Sequence, residues 1–284
     1  MSETRVKEPD DMSMTAALPP GVTTVDAASA KVLSILQRRG IDPARAGLTD
    51  DRADDPAEYQ AEVYWMAWRN SLRRAGLSDY LRYRLSDLGQ EEREFVKDYI
   101  DQHIEVRQKQ REQHKLHPDQ RQHIRPLVLN AILAGTVGAG KTVTAVAAAR
   151  YAVERGLMAR LVPHTLYLSW LRPNGAPTGM TATQVIEFYE RCDVLVLDEV
   201  AGQMDGYATN FVRTCTYDLI NARVNSNRPT LFTTNLSSEQ IIEVLGEALY
   251  SRIGTRAEVL EMTGDDRRMP KTWGVRRTGS GMER

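Results

Sequence analysis

An α/β fold built on a parallel sheet flanked by helices is the class this sequence predicts, and three stretches predict it. GTVGAGKT, residues 135–142, follows a short apolar run, Leu127 to Ala134, and precedes an alanine-rich, helix-favouring segment from Val143 to Val153. CDVLVLDEV, residues 192–200, is a largely apolar run that ends in an acidic pair. PTLFTTN, residues 229–235, is another, ending in a polar tip. Apolar runs of this length, alternating with helical segments, have the look of strands buried on both faces of a parallel sheet.

Composition sets the bounds. A chain of 284 residues with 42% hydrophobic content can bury one large domain, or a medium and a small one. No run approaches the length of a bilayer span, and the N terminus lacks the basic-then-apolar layout of a secretion signal. Cys192 and Cys215 are too few and too far apart for a zinc knuckle or a disulfide framework, and read as buried thiols of a cytoplasmic protein. A formal net charge of −1 excludes a globally basic DNA coat, so any nucleic-acid contact must come from local patches.

In chain order, residues 1–25 are polar and aperiodic and read as disordered. Residues 26–72 read as a helical region. A first helix is predicted from Asp26 to Arg39, an acidic loop from Ile41 to Asp55, and a second helix from Pro56 to Ala75 with Trp65, Trp68 and Leu72 on one face. That aromatic stripe suits either a core or a docking surface for a partner protein. Residues 73–126 form a helical lead-in and linker. Its main helix, Gln90 to Lys115, carries Phe95, Val96, Tyr99, Ile100 and Ile104 in a stripe. His103, His114, His117 and His123 lack companion ligands at metal spacing and are read as part of a solvated helix and linker. The nucleotide domain occupies 127–268, with a second strand at Ala159 to Pro163, a turn-rich insert at 172–177 and helices near 183–191 and 207–224. A basic tail, 269–284, closes the chain.

The chemistry concentrates at three loop positions. Glycines 135, 138 and 140 let the backbone turn and present amides to phosphate oxygens, and the following helix adds its positive end. Residues Gly135, Thr136, Val137, Gly138, Ala139, Gly140, Lys141, Thr142 and Val143 are therefore the candidate nucleotide cradle. Lys141 would reach the β- and γ-phosphates, and the Thr142 hydroxyl would ligate Mg²⁺. An acidic pair at the carboxyl end of a parallel strand lies in the crevice where such folds bind ligands. Asp198 would hold Mg²⁺, largely through water, and Glu199 would polarise the attacking water. Thr234 or Asn235, at the end of the next strand, would contact the γ-phosphate or that water. With no guanine-reading Asn-Lys-x-Asp motif, ATP is the expected nucleotide.

From about Ala75 to Arg268 the chain resembles the DnaC-type helicase loaders, the AAA+ family that also contains the DnaI loaders and the IstB transposition ATPases. AGLSDYLRYRLSDL (75–88), GTVGAGKT, VLVLDE, RPTLFTTNLS (228–237), YSRI (250–253) and TGDDRR (263–268) carry the resemblance. It implies a P-loop AAA+ ATPase with a five-stranded parallel sheet of order 5-1-4-3-2, acting as a homo-oligomer on a DnaB-type hexameric replicative helicase. It also implies that Asn235 is the sensor asparagine and that Arg252 reaches in trans into a neighbouring subunit's ATP. Arg267 or Arg268 would be a second sensor. The region 26–72 would contact the helicase, although residues 1–72 match no part of the family and lack the cysteine-bound zinc module of some loaders. Where the family often has a second aspartate, this chain has Glu199, the usual AAA+ choice for hydrolysis.

The resemblance thus implies an ATP-driven loader that places a helicase on single-stranded DNA. Arg160, Tyr167 and Arg172 are its candidate DNA contacts. Two alternatives stand beside it: a transposition helper that binds duplex DNA and a transposase, and an ATP-switched adaptor without turnover.

Overall fold

The computed structural model describes residues 56–202 and 208–264, with side chains from Tyr59 onward. The expected helix at 26–39, the disordered N terminus, Arg267, Arg268 and the basic tail lie outside the described residues. One compact unit begins at Pro56.

The chain enters through helix α1 (Pro56–Arg74), passes two short 3₁₀ turns at Ser78–Arg82 and Leu85–Asp87, and forms the long helix α2 (Gln90–His114). Strands and helices then alternate: β1 (Asn130–Gly135), α3 (Lys141–Glu154), β2 (Ala159–Pro163), α4 (His164–Trp170), α5 (Ala182–Glu190), β3 (Val194–Asp198), α6 (Asn210–Asn225), β4 (Thr230–Thr234), α7 (Ser238–Leu245), α8 (Glu247–Ile253) and β5 (Ala257–Met262). All four strand pairings are parallel, in the order β2-β3-β4-β1-β5. Read from the other edge this is 5-1-4-3-2, the AAA+ order.

Strand periodicity builds the layers. Successive side chains leave a strand on opposite faces. Ala131, Leu133, Leu161, Val196 and Leu231 therefore join the core that α1, α2 and α3 cover. Leu129, Val162, Leu195, Leu197 and Phe232 join the opposite core, covered by helices α4 to α8. In α3 the alanines at 145, 147, 148, 149 and 152 are fully buried, which lets this helix lie close over the strands.

Several boundaries differ from expectation. The first strand begins at Asn130, not Leu127, because the Leu127 side chain is exposed and the chain joins β5 only when Leu129 donates its N–H to Arg256. The segment after β2 forms α4, a helix that the turn-rich residues beyond it had hidden. The aromatic stripe of α1 is core: Tyr64, Trp68 and Leu72 are buried, and Ser71 Oγ bridges the N–H and C=O of Leu161 on β2, each at 2.7 Å. The expected seam at residue 72 thus falls inside the compact unit, since α1 covers the edge strand. His103 corrects the solvated-helix reading. It is buried edge-on against Tyr99, and burial, with the charge of Arg256, pushes it down to about 3.

Candidate nucleotide site

The phosphate loop connects the end of β1 to the start of α3, and its shape requires glycine. Gly138 and Gly140 have φ of 80° and 101°. At Gly135, φ is 144° and a Cβ would run into the Met262 carbonyl on β5. Lys141 opens the 14-residue helix α3, whose amide end concentrates positive potential there. Its buried ammonium donates to the loop carbonyls of Gly135 and Thr136 at 2.8 and 2.6 Å, which folds the loop around it.

The acidic strand end meets the loop directly. Thr142 Oγ1 lies 3.1 and 3.3 Å from the two oxygens of Asp198. Burial raises the Asp198 carboxyl above its ordinary range and the nearby Glu199 adds to this, while hydrogen bonds from Thr233 and Thr142 and the charge of Lys141 pull it down. A buried carboxylate whose ionisation is opposed by desolvation, set against a hydroxyl, is a donor pair that suits a hard dication. Next in the chain, Glu199 adopts a left-handed φ of 54°, rare for a residue with a side chain.

Apart from the buried Asp198, these groups line one cavity of about 230 Å³, formed by Val137, Gly138, Gly140, Lys141, Thr142, Val143, Glu199, Thr233, Thr234 and Asn235 together with Tyr80, Tyr83 and Asp87. Of the expected cradle, Gly135, Thr136 and Ala139 shape the loop without lining the cavity: Ala139 is buried, and Thr136 is exposed with its hydroxyl towards Gly264 O at 3.4 Å. Asn235 is exposed at the cavity wall, whereas the Thr234 hydroxyl turns inward to Val200 O at 3.2 Å.

Arg252 is elsewhere. It stands in the last turn of α8, over the Tyr217 ring at 5.9 Å, and its carbonyl accepts a 3.3 Å bond from Asn130 Nδ2 at the first residue of β1. The phosphate loop leaves from the last residue of the same strand, roughly 16 Å away at the rise of a parallel strand. The guanidinium is thus absent from the cavity of its own chain.

Thr233 and the tyrosines were missed by sequence reasoning. Thr233 Oγ1 accepts the Glu199 N–H at 2.8 Å and donates to Asp198 Oδ1. Two adjacent threonines at the end of the fully buried strand TLFTT were the available signal. Tyr80 and Tyr83, edge-on at 5.6 Å, belong to the 75–88 stretch, whose spacing alone does not show that it folds back over the loop.

The expected DNA contacts are only partly on the surface. Tyr167 is corrected: it is buried in the α4 side of the core, edge-on to Tyr189, so it cannot face nucleic acid. Arg160 is half-buried with its guanidinium 3.2 Å from the Phe188 ring centroid. Arg172 is exposed.

A glycine loop at the end of β1, two acids at the end of β3 on the far side of β4, and the 2-3-4-1-5 sheet define a P-loop nucleotide-binding protein of AAA+ type. The profile described as "IstB-like ATP binding protein" matches residues 124–273, more than half of the chain, and the chain belongs to that family. It is 24% identical over 126 residues to the "Replicative helicase loader DnaC" of Escherichia coli (strain K12), a match covering 44% of this chain and 50% of that protein. The chain thus spans about half the length of the curated relatives it matches. Among solved structures it is similar to a DnaI structure (22% identity, 67% of this chain and 93% of that one, TM-score 0.47). It is also similar to the DnaC helicase loader (20% identity, 65% and 99%, TM-score 0.48).

Proposed function

We propose that this protein is an Mg²⁺-dependent ATPase that loads a DnaB-type hexameric helicase onto single-stranded DNA. The observation that carries the ATPase reading is the convergence of Lys141, Thr142, Glu199 and Asn235 on one cavity at the amino end of α3, with Asp198 buried behind Thr142 and bonded to it. In this reading Lys141 and the loop bind the triphosphate, Thr142 and Asp198 hold the metal, Glu199 orients and polarises water, and Asn235 senses the γ-phosphate. A dication held by Thr142 and Asp198 would supply neutralisation of the triphosphate charge. Arg252, remote from its own cavity, serves the site of a neighbouring copy, so ATP binding and subunit contact become one event.

The loader assignment is supported by the likeness to DnaC, and the single-stranded DNA surface reduces to Arg172 with a contribution from Arg160. The transposition-helper reading is favoured by one observation, the IstB-like family match itself.

Turnover and partner are tested together. Wild type should hydrolyse ATP and Glu199→Gln should bind it but turn over about 100-fold more slowly, the scale of a lost general base. Equal, near-zero rates favour the adaptor. Co-purification with a DnaB-type helicase, and single-strand affinity that rises with ATP and falls with salt, support the loader. Selective duplex binding and transposase capture support the helper. Mixing Arg252→Ala with Lys141→Ala subunits should restore part of the activity that each lacks, because a mixed interface pairs one intact arginine with one intact phosphate loop. No restoration would remove the trans role.

A further inference from the structure

A buried histidine touches the site from the side. His164 follows Pro163, whose register partner across β2 and β3 is Asp198, and it opens α4 fully buried. Its Nδ1 accepts the Ala201 N–H at 3.3 Å, and its Nε2 lies 2.8 Å from Thr216 Oγ1 on α6. The Thr216 hydroxyl gives its proton to the Val212 carbonyl at 2.7 Å. A hydroxyl has only one proton, so towards His164 it is an acceptor and Nε2 carries the ring hydrogen. Nδ1 therefore faces Ala201 with its lone pair, and a second ring proton there would set donor against donor. Burial holds the ring down to about 4, so it is neutral near pH 7.

The turn it holds is the one that carries Glu199. Glu199 and Ala201 both sit at left-handed φ, 54° and 60°, and Gly202 N–H closes the turn on Glu199 O at 3.2 Å. From one side β4 restrains it: Val200 N–H bonds Thr233 O at 2.9 Å, Glu199 N–H bonds Thr233 Oγ1, and Thr234 Oγ1 bonds Val200 O. From the other side the restraint is His164, and through it the turn is joined to α4 and α6. Two non-glycine residues in a sparsely populated region persist only where the surroundings over-determine them.

We propose that His164 is a positioning residue for Glu199. In its Nε2–H tautomer it holds the left-handed turn and couples it to α4 and α6. The claim about turnover rests on the hydrolytic reading above; the claim about the turn does not.

The experiment reads both in the full chain. His164→Asn, whose side-chain oxygen can take the Ala201 N–H, should keep kcat within about threefold. His164→Ala should lower kcat about tenfold or more with KM and affinity for a non-hydrolysable ATP analogue unchanged, as expected for a misaimed catalytic group. Thr216→Val, which keeps the ring but removes its acceptor, should fall between them and serves if His164→Ala does not fold. Hydrogen exchange at the Ala201 amide should be slow in wild type and His164→Asn and fast in His164→Ala or Thr216→Val. The proposal is overturned by wild-type kcat in a folded His164→Ala or, if that variant does not fold, in Thr216→Val. Loss in His164→Asn equal to that in His164→Ala, or exchange that ignores these changes, also overturns it. If wild type hydrolyses no ATP, the hydrolytic reading fails by itself and amide exchange alone decides whether His164 holds the turn.

Discussion

Thr233 Oγ1 joins the two acids of the site, accepting from the Glu199 backbone and donating to the Asp198 carboxylate. Thr233→Val keeps the shape and removes both bonds. With one fewer donor, Asp198 moves further above the ordinary carboxylate range and Glu199 loses an anchor. The expected result is a turnover about 10- to 100-fold lower, with more Mg²⁺ needed for half-maximal rate and ATP-analogue affinity retained; Thr233→Ser should recover most of it. A magnesium titration of kcat checks this, and an unchanged midpoint would sever Thr233 from the metal. At this scale the sequence shows a residue when the backbone alone positions it, as in the loop from Gly135 to Thr142. Thr233 escapes because its role is a bond between strands, which no spacing along the chain records. Tyr167 misleads for the opposite reason. An aromatic close to a turn-rich insert looks exposed until the packing against Tyr189 is known.

Elements are held by single polar side chains at their edges. Leu161 turns its N–H and C=O away from the sheet on edge strand β2, and Ser71 of α1 satisfies both in a buried setting. Ser71→Ala leaves two buried backbone groups unpaired and should cost roughly 2–4 kcal/mol in urea unfolding. A change below 0.5 kcal/mol would mean that water replaces the hydroxyl. Asn130 does the same for α8: its Nδ2 donates to the carbonyls of Ile253 at 2.9 Å and of Arg252 and Thr255 at 3.3 and 3.4 Å. Asn130→Ala frees the last turn of the helix that carries Arg252. Its own site should bind nucleotide as before, while Lys141→Ala subunits that also carry Asn130→Ala should rescue Arg252→Ala subunits less well than Lys141→Ala alone does. Equal rescue would show that α8 needs no such anchor. Helix α1 was legible from its proline start and one-face stripe, α2 from its apolar stripe, and α3 from its alanine-rich composition. The short α4 was not, because seven residues hold too few turns for a period to show.

The whole molecule carries a pH dependence set by two histidines in its two cores. Burial lowers His103 to about 3 and His164 to about 4, against about 6.5 in an unfolded chain. Below pH 6.5 the unfolded chain binds protons that the folded one refuses. Stability is therefore undiminished above that pH and is lost as pH falls towards 4. Between pH 6 and 5 the two together should remove about 2 kcal/mol, while Asp198, raised by burial, opposes the trend within the carboxylate range. Unfolding curves at the two pH values check this, and His103→Leu should halve the difference. No helix among the described residues is long and apolar enough to cross a membrane.

The sequence by itself determined the class of fold, the order of the strands through the family it resembles, and the loop, lysine and acidic pair of the site. These follow from local rules: glycine where the backbone turns left, apolar runs where strands are buried, acids where such a strand ends. Only the tertiary structure decided that α1 belongs to the compact unit and that Thr233 and His164 grip the turn of Glu199. It also decided that Arg252 lies outside its own nucleotide cavity and that Tyr167 is core. Each of these depends on contacts between segments far apart in the chain, and their energies are settled by which groups the sheet brings within hydrogen-bond distance.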